Sequence, residues 1–426
     1  MPHDFHIPIL GEAKLPSPLR TDNFVSDATK VLLRVKADDQ MDELSRVGAL
    51  ESAGAREKIF FDPSTSKAAI VTCGGLCPGI NGVIRAIVMG LYHRYGVKEI
   101  VGVRYGLQGF IPAYGHSLVT LSPEVVEDIH KYGGSVLSSS RGGQDIRFVV
   151  DALVDNGVNM LFCIGGDGTM KAAHSLYQEI TRRNLLISVV GIPKTIDNDL
   201  QIIDKSFGFD TAIEKAAEII SCAHVEAKGA PMGIGLIKVM GRLSGHIAVG
   251  ATLANADVNF TLIPELPFKL EGAGGLFSAI VERLQSRKHC VILVAEGAGQ
   301  EILAAGKKEY DASGNVRLAD VGIFLKNAIE EYFSQKKTEV NVKYFDPSYL
   351  IRSVPANTAD SIYCGALGQY AVHAALSGKT GLLVGMVNSH FVHIPLSQAS
   401  SGSRVDLHGD LWARVIETTG QPLVFG

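Results

Sequence analysis

Twice in the first half of this chain a short apolar strand runs into a glycine-rich loop and then into a helical pattern, an order that suits a parallel sheet with helices packed on its faces. The first copy is Lys67 to Thr72, then Gly74-Gly75-Leu76-Cys77-Pro78-Gly79, then a helix expected from about Asn81 to His93. The second is Leu161-Phe162-Cys163-Ile164, then Gly165-Gly166-Asp167-Gly168-Thr169, then a helix expected from Met170 to about Arg183. Glycines at such a junction let a phosphate approach the backbone, and the first N–H groups of the helix, with their dipole, favour its negative charge. Each loop alone also reads as plain architecture, a tight turn before a helix.

A third apolar run, Leu185 to Gly191, is expected to be a buried strand and opens into Pro193-Lys194-Thr195-Ile196-Asp197-Asn198-Asp199. Ligands of parallel α/β sheets bind at the carboxyl ends of strands, where this loop falls. In an extended backbone the side chains at i and i+2 share a face, which would turn Asp197 and Asp199 toward one space and Asn198 aside. Two facing carboxylates repel unless a cation or a proton lies between them. Phosphoryl transfer uses both, a Mg²⁺ to neutralise one acid and a hydroxyl proton taken by the other. By itself the heptapeptide reads equally well as a turn rich in Asp and Asn. Three phosphate-friendly strand ends together favour a site.

These motifs resemble the phosphofructokinase family, whose members transfer a phosphoryl group to the 1-hydroxyl of fructose 6-phosphate. The family's P-x-T-I-D-N-D loop stands at 193–199, its GGDG turn at 165–168 and its M-G-R at Met240-Gly241-Arg242, with Pro264-Glu265 following a strand. Lys343, Tyr349 and Arg352 match the sugar-phosphate region, and the likeness runs from about Lys67 to the 390s. The resemblance implies Asp197 as general base on the sugar hydroxyl, with Lys194 and Thr195 beside it in the catalytic loop and Thr195 touching the substrate or the phosphoryl group in flight. It implies Gly74, Arg141, Gly166, Asp167, Gly168 and Thr169 on the nucleotide side, and Asp167 and Asp199 serving Mg²⁺ directly or through its waters. Arg242 and Arg141 would brace the transferring group, a task suited to planar donor forks. Met240, Gly241, Arg242, Glu265, Lys343, Tyr349 and Arg352 would contact the sugar phosphate, Glu265 through sugar hydroxyls and Arg352 with Lys343 on the 6-phosphate.

Two positions bear on the phosphoryl donor. Lys194 is typical of pyrophosphate-dependent relatives, whereas Gly168 stands where those relatives usually carry Asp, a side chain that would occupy and oppose a nucleotide's α-phosphate. The combination resembles the long-chain ATP-dependent branch, which implies ATP as donor, with pyrophosphate as the alternative. Gly233 stands where short bacterial members place a sugar-phosphate arginine, so part of that phosphate's counter-charge must come from elsewhere. A GGDGT turn also occurs in NAD kinases and diacylglycerol kinases, which lack the catalytic loop and the M-G-R. A non-catalytic regulatory subunit would be expected to have lost one of Asp167, Asp197, Asp199 or Arg242, all present here. No Walker-type Gly-x4-Gly-Lys-Ser/Thr occurs.

The rest of the chain alternates strand and helix patterns, with βα units expected at 134–156 and 158–183, a helix from Asp210 to His224, and strands at Gly233 to Val239 and Gly381 to Val387. The expected fold is α/β: two Rossmann-like domains with mostly parallel sheets and an interdomain active-site cleft, plus an N-terminal extension. The expected division is an extension at 1–66, a nucleotide-phosphate domain at 67–208 plus 353–395, and a sugar-phosphate domain with the tail at 209–352 plus 396–426. The 426 residues suit two or three domains, and the net charge of −4 argues against nucleic acid as the main partner. No apolar run reaches the length of a membrane span and the N-terminus lacks a basic-then-apolar leader, so a soluble cytoplasmic protein with no membrane partner is expected. The six scattered cysteines read mostly as small buried hydrophobes, and Cys73 and Cys77 lack the further ligands of a zinc site. His390 and His393 should lie on opposite faces of a strand. Residues 307–315 read as an exposed polar loop. The family resemblance implies a homotetramer whose small-molecule partners are fructose 6-phosphate and ATP.

Overall fold

The computed structural model describes residues 5–35, 48–303, 316–399 and 402–426; the polar loop expected at 307–315 lies outside them. Fifteen strands run through the described residues: β1 (Leu15–Pro16), β2 (Lys30–Leu32), β3 (Ala49–Ser52), β4 (Lys58–Ile59), β5 (Lys67–Thr72), β6 (Glu99–Val103), β7 (Val119–Thr120), β8 (Met160–Gly165), β9 (Ser188–Pro193), β10 (Gly233–Val239), β11 (Phe260–Leu262), β12 (His289–Ala295), β13 (Asn341–Phe345), β14 (Leu382–Val387) and β15 (His390–Pro395). The helices are α1 (Ile80–Met89), α2 (Pro123–Val126), α3 (Ile146–Asp155), α4 (Asp167–Arg182), α5 (Phe209–Gly229), α6 (His246–Asn255), α7 (Leu276–Arg287), α8 (Gln300–Leu303), α9 (Val321–Gln335), α10 (Thr358–Leu376) and α11 (Asp410–Thr419).

The chain divides into two compact units. The first takes Met1–Thr195, Leu200–Gly208 and Ser353–Ser401; the second takes Ile196–Asp199, Phe209–Arg352 and Gly402–Gly426. The first unit holds a nine-stranded sheet in the order β2-β3-β15-β14-β9-β8-β5-β6-β7, parallel from β14 through β6 and antiparallel at both margins. Its central strands β8 and β9 are buried throughout, which is why they read as unbroken apolar runs. The second unit holds a fully parallel sheet in the order β11-β12-β10-β13, with β10 buried along its whole length. Parallel strands need long crossovers, and helices supply them.

Several elements differ from expectation. The βα unit expected at 134–156 contains only its helix, capped by the Asp145 side chain accepting from Arg147 N–H. Residues before it form a loop in which Gly134, Ser138 and Gly142 take positive φ, a conformation that interrupts strand pairing. Asn388 and Ser389, at φ 50° and 64°, make the two-residue turn of an antiparallel β14–β15 hairpin. In that hairpin His390 is exposed and His393 is fully buried, on opposite faces.

The first 66 residues are more than an extension, since β2 and β3 complete the margin of the large sheet beside β15. A buried charge cluster joins them to it: Glu51 accepts from His393 Nδ1 at 2.7 Å and lies 2.9 Å from Lys379 and 3.0 Å from Arg56. Burial alone would raise the Glu51 carboxyl, but the hydrogen bond and charge of His393, with Lys379, bring it down to about 2. All six cysteines are free thiols, with Cys77, Cys163, Cys290 and Cys364 buried.

Candidate active site

In the first unit the strand ends β5, β8 and β9 lie side by side and their loops pack on one another. After β5, Gly74 turns at φ 85° and donates its N–H to Ser140 O at 3.2 Å, while Ser139 Oγ donates to Gly74 O at 2.6 Å. These bonds anchor the neighbouring exposed Arg141 beside the glycine loop. Lys194, at the end of β9, is 5% exposed and donates from Nζ to Gly75 O at 2.6 Å. Its ammonium braces the same loop from within.

After β8 the chain enters α4 with Gly166 as its first flanking residue and Asp167 in its first turn. A Cβ on Gly165 would fall 2.1 Å from Thr169 Oγ1, so packing requires that glycine, and one on Gly166 would sit tightly against Lys194 O at 3.3 Å. Gly168 differs, because a Cβ there would meet nothing within 4 Å. The head of this helix is therefore open at the position where the donor was expected to be selected. Asp167 is half-buried, its Oδ2 2.6 Å from Lys171 Nζ one turn along. Thr195 is half-buried and its carbonyl accepts from Ser206 Oγ at 2.5 Å.

The loop beyond Thr195 does not stay extended. Asn198 takes φ 50°, a left-handed conformation that Asn tolerates, and the chain turns. The expected alternation of Asp197, Asn198 and Asp199 thus does not apply; the turn sets their directions instead. Asp197 and Asp199 are both half-buried, with Asp197 Oδ1 out of solvent.

In the second unit β10 ends at Met240-Gly241-Arg242, and Gly241 at φ 131° would place a Cβ 2.5 Å from Ser244 O. A Cβ on Gly297 would lie 1.9 Å from Arg242 O, so the turns after β10 and β12 seat directly against each other. The Arg242 guanidinium donates to Val316 O. Lys238, two residues before Met240, lies 2.8 Å from Asp320 and 2.9 Å from Asp346. Burial opposes its charge, but the two acids outweigh burial and raise its pKa.

Glu296, directly after β12, was not foreseen. Burial pushes its carboxyl above the ordinary range, although Arg242, Lys238 and Arg352 all pull it down. One acid amid three cations is a strand-end constellation, and the signal for it was the run Glu296-Gly297-Ala298-Gly299 after an apolar strand. Lys343 lies on β13 opposite Gly235. Tyr349 is 73% exposed, with the Arg352 guanidinium carbon 4.9 Å from its ring centre. Arg352 Nε is buried without a hydrogen-bond partner among the described residues. Glu265 is committed to the backbone: its two oxygens take Gly245 N–H at 3.0 and 3.1 Å, and Oε1 also takes Val405 N–H at 2.9 Å.

A family model described as phosphofructokinase matches residues 67–375. A chain from Borreliella burgdorferi named ATP-dependent 6-phosphofructokinase is 47% identical over 99% of this chain and 97% of its own length. One from Arabidopsis thaliana, named ATP-dependent 6-phosphofructokinase 4, chloroplastic, is 51% identical over 87% of this chain and 70% of its own. Among solved structures, a pyrophosphate-dependent phosphofructokinase from Marinobacter aquaeolei has a TM-score of 0.68 at 21% identity, covering 85% of this chain and 92% of that one, a likeness of fold.

Proposed function

The chain belongs to the phosphofructokinase family, and we propose that it transfers the γ-phosphoryl group of ATP to the 1-hydroxyl of fructose 6-phosphate, giving fructose 1,6-bisphosphate and ADP. The observation that carries ATP over pyrophosphate is the open head of α4 at Gly168, a residue that sets neither side-chain bulk nor charge of its own against a nucleotide's inner phosphate. Relatives named ATP-dependent, matching nearly the whole chain, support the same reading.

In this reading Asp197 takes the proton as the sugar oxygen bonds to the γ-phosphorus and ADP leaves. Thr195 contacts the group in flight, while Lys194 holds the glycine loop in shape. Gly74, Gly166 and Thr169 border the donor phosphates, and Arg141 and Arg242 take up charge on the transferring oxygens. Arg352 and Lys343 hold the 6-phosphate, and the buried Arg352 Nε, without a hydrogen-bond partner among the described residues, supports that role, since such a group costs about 1–3 kcal/mol without an acceptor. Tyr349, Met240, Gly241 and Glu296 line the sugar.

Mg²⁺ fits the donor set in one particular way. Among the described residues no group of three or more His, Cys, Asp or Glu could cage a metal. A hydrated Mg²⁺ taking one or two carboxylates and the donor's phosphates needs no such cage, and Asp167 and Asp199 are the acids assigned to it. When bound it supplies charge neutralisation of the phosphates.

A homotetramer in the cytoplasm belongs to the same reading, and sizing chromatography tests the assembly. Among the described residues no helix is long and apolar enough to cross a membrane. The test of function is a steady-state assay with fructose 6-phosphate and Mg²⁺, comparing ATP with pyrophosphate at matched concentration. Turnover with ATP and little with pyrophosphate is expected. The reverse ranking would show that Lys194 outweighs Gly168 in choosing the donor, and turnover with neither would remove the enzyme reading.

A further inference from the structure

Four backbone N–H groups in the second unit converge on two acceptors. The Glu265 carboxylate takes those of Gly245 and Val405, and the carbonyl of Asp199 takes those of Gly402 and Ser403, both at 2.9 Å. The donors at 402, 403 and 405 belong to one short C-terminal segment, so that segment is pinned at one end to the 197–199 loop and at the other to Glu265. The turn held by Glu265 returns to the same loop: Ser244 Oγ lies 3.4 Å from Asp197 O and 2.5 Å from His246 Nδ1. A Cβ on Gly245 would fall 2.5 Å from Ile263 and 3.0 Å from Glu265 Oε2, so this turn has no slack against the end of β11.

We propose that Glu265 is a positioning residue that ties the segment 402–405 to the turn 244–246 and through both fixes the backbone from which Asp197 acts. The inference rests on the proposed phosphoryl transfer. Charge-assisted bonds from backbone N–H groups are short and directional, which suits a tie more than a hydroxyl contact. Its carboxylate already accepts two such N–H groups, that of Gly245 shared by both oxygens and that of Val405 on Oε1. The loop it steadies carries the proposed base, and a misplacement of about 1 Å can cost on the order of 10²-fold in rate. The assignment replaces the sugar-hydroxyl contact expected for Glu265 from the sequence.

The test compares Glu265→Ala, Glu265→Gln and Ser403→Pro with the wild type, in kcat and in KM for fructose 6-phosphate and ATP. Glu265→Ala should lower kcat about tenfold or more while both KM values stay within about threefold. Glu265→Gln keeps the Oε1 acceptor shared by Gly245 and Val405, and should restore kcat to within about threefold of wild type. Ser403→Pro removes an N–H from the Asp199 end of the same strap, and should lower kcat in the same manner. Combined with Glu265→Ala it should add less than about threefold, because both changes cut one strap. A raised KM for the sugar phosphate with kcat unmoved would assign Glu265 to the substrate and overturn the proposal. Unchanged kcat in folded Glu265→Ala, or fully multiplicative losses in the double variant, would overturn it too. Wild-type turnover separates the two layers: its absence removes the reaction and this inference together, whereas its presence beside an indifferent Glu265→Ala removes the strap alone.

Discussion

At the strand ends of the first unit the chain is nearly bare: Gly74, Gly165, Gly166 and Gly168 carry no side chain, and Lys194 is turned inward onto Gly75 O. The strand ends of the second unit are crowded with charge, with Lys238 between Asp320 and Asp346 and with Glu296 among Arg242, Lys238 and Arg352. A surface made of backbone recognises a phosphate chain by the shape and direction of its N–H groups, and nearly any added side chain disturbs it. A surface made of opposed charges recognises its ligand by completing a balance, so it tolerates shape changes better than it tolerates loss of a sign. The first should therefore be sensitive to bulk and the second to charge.

The largest expected effect lies in the loop 196–199, which carries the proposed base. Asp197→Ser should lower kcat by about 10²–10⁴-fold with both KM values changed only a few-fold, measured under saturating Mg²⁺. A loss below about tenfold would take the base role from Asp197. Next, Arg352→Ala should raise KM for fructose 6-phosphate about tenfold to a hundredfold, the scale of a lost hydrogen bond to a charged group, and leave KM for ATP alone. Equal weakening of both substrates would break the division of labour. Gly168→Asp should raise KM for ATP about tenfold without lowering Tm, because the site is open and an acid suits the first turn of a helix. If ATP kinetics were unchanged, the donor's phosphates would not pass this position.

The smallest effect on activity concerns charge that the first unit keeps away from its loops. Glu51 has its folded pKa lowered from 4.5 to about 2, so its contribution is present above pH 4.5 and lost as the pH falls toward 2. His373, half-buried beside Tyr95, is lowered from 6.5 to about 4 by desolvation, so the unfolded chain binds the extra proton first and stability declines as the pH falls from 6.5 toward 4. Denaturant unfolding at pH 7, 5.5, 4.5 and 3 should show falling stability, and Glu51→Gln should flatten the part of the curve below about pH 4.5.

Local signals were legible in the sequence and distant ones were not. The three glycine and carboxylate loops stood out because an apolar run that ends in glycine or aspartate needs no knowledge of the rest of the chain. The alternation expected at Asp197 and Asp199 rested on extended backbone, and one left-handed residue, Asn198, removes that condition. The backbone ties of Glu265 were not legible because its partner Val405 lies 140 residues further on and donates through its backbone, which no side-chain pattern reports. Glu296 was missed for the opposite reason: its cations come from β10 and from separate turns, and an acid after a strand is unremarked until they are seen around it. The helix Asp410–Thr419 lay in a stretch that the motif reading did not reach.

The order of strands in the large sheet also sets when it can be completed. Glu51 and His393 meet across 342 residues, and β9 gains its second neighbour only from β14. While the chain is being made, a strand destined for full burial therefore presents an open edge until β14 emerges near the end of the chain, and such edges accept foreign partners. Closing contacts of this span is slow, and collapsed forms with exposed strands associate with one another. Recovery of this protein from denaturant should thus depend on how dilute it is, with first-order closure of the sheet competing against second-order clumping of its unfinished edges.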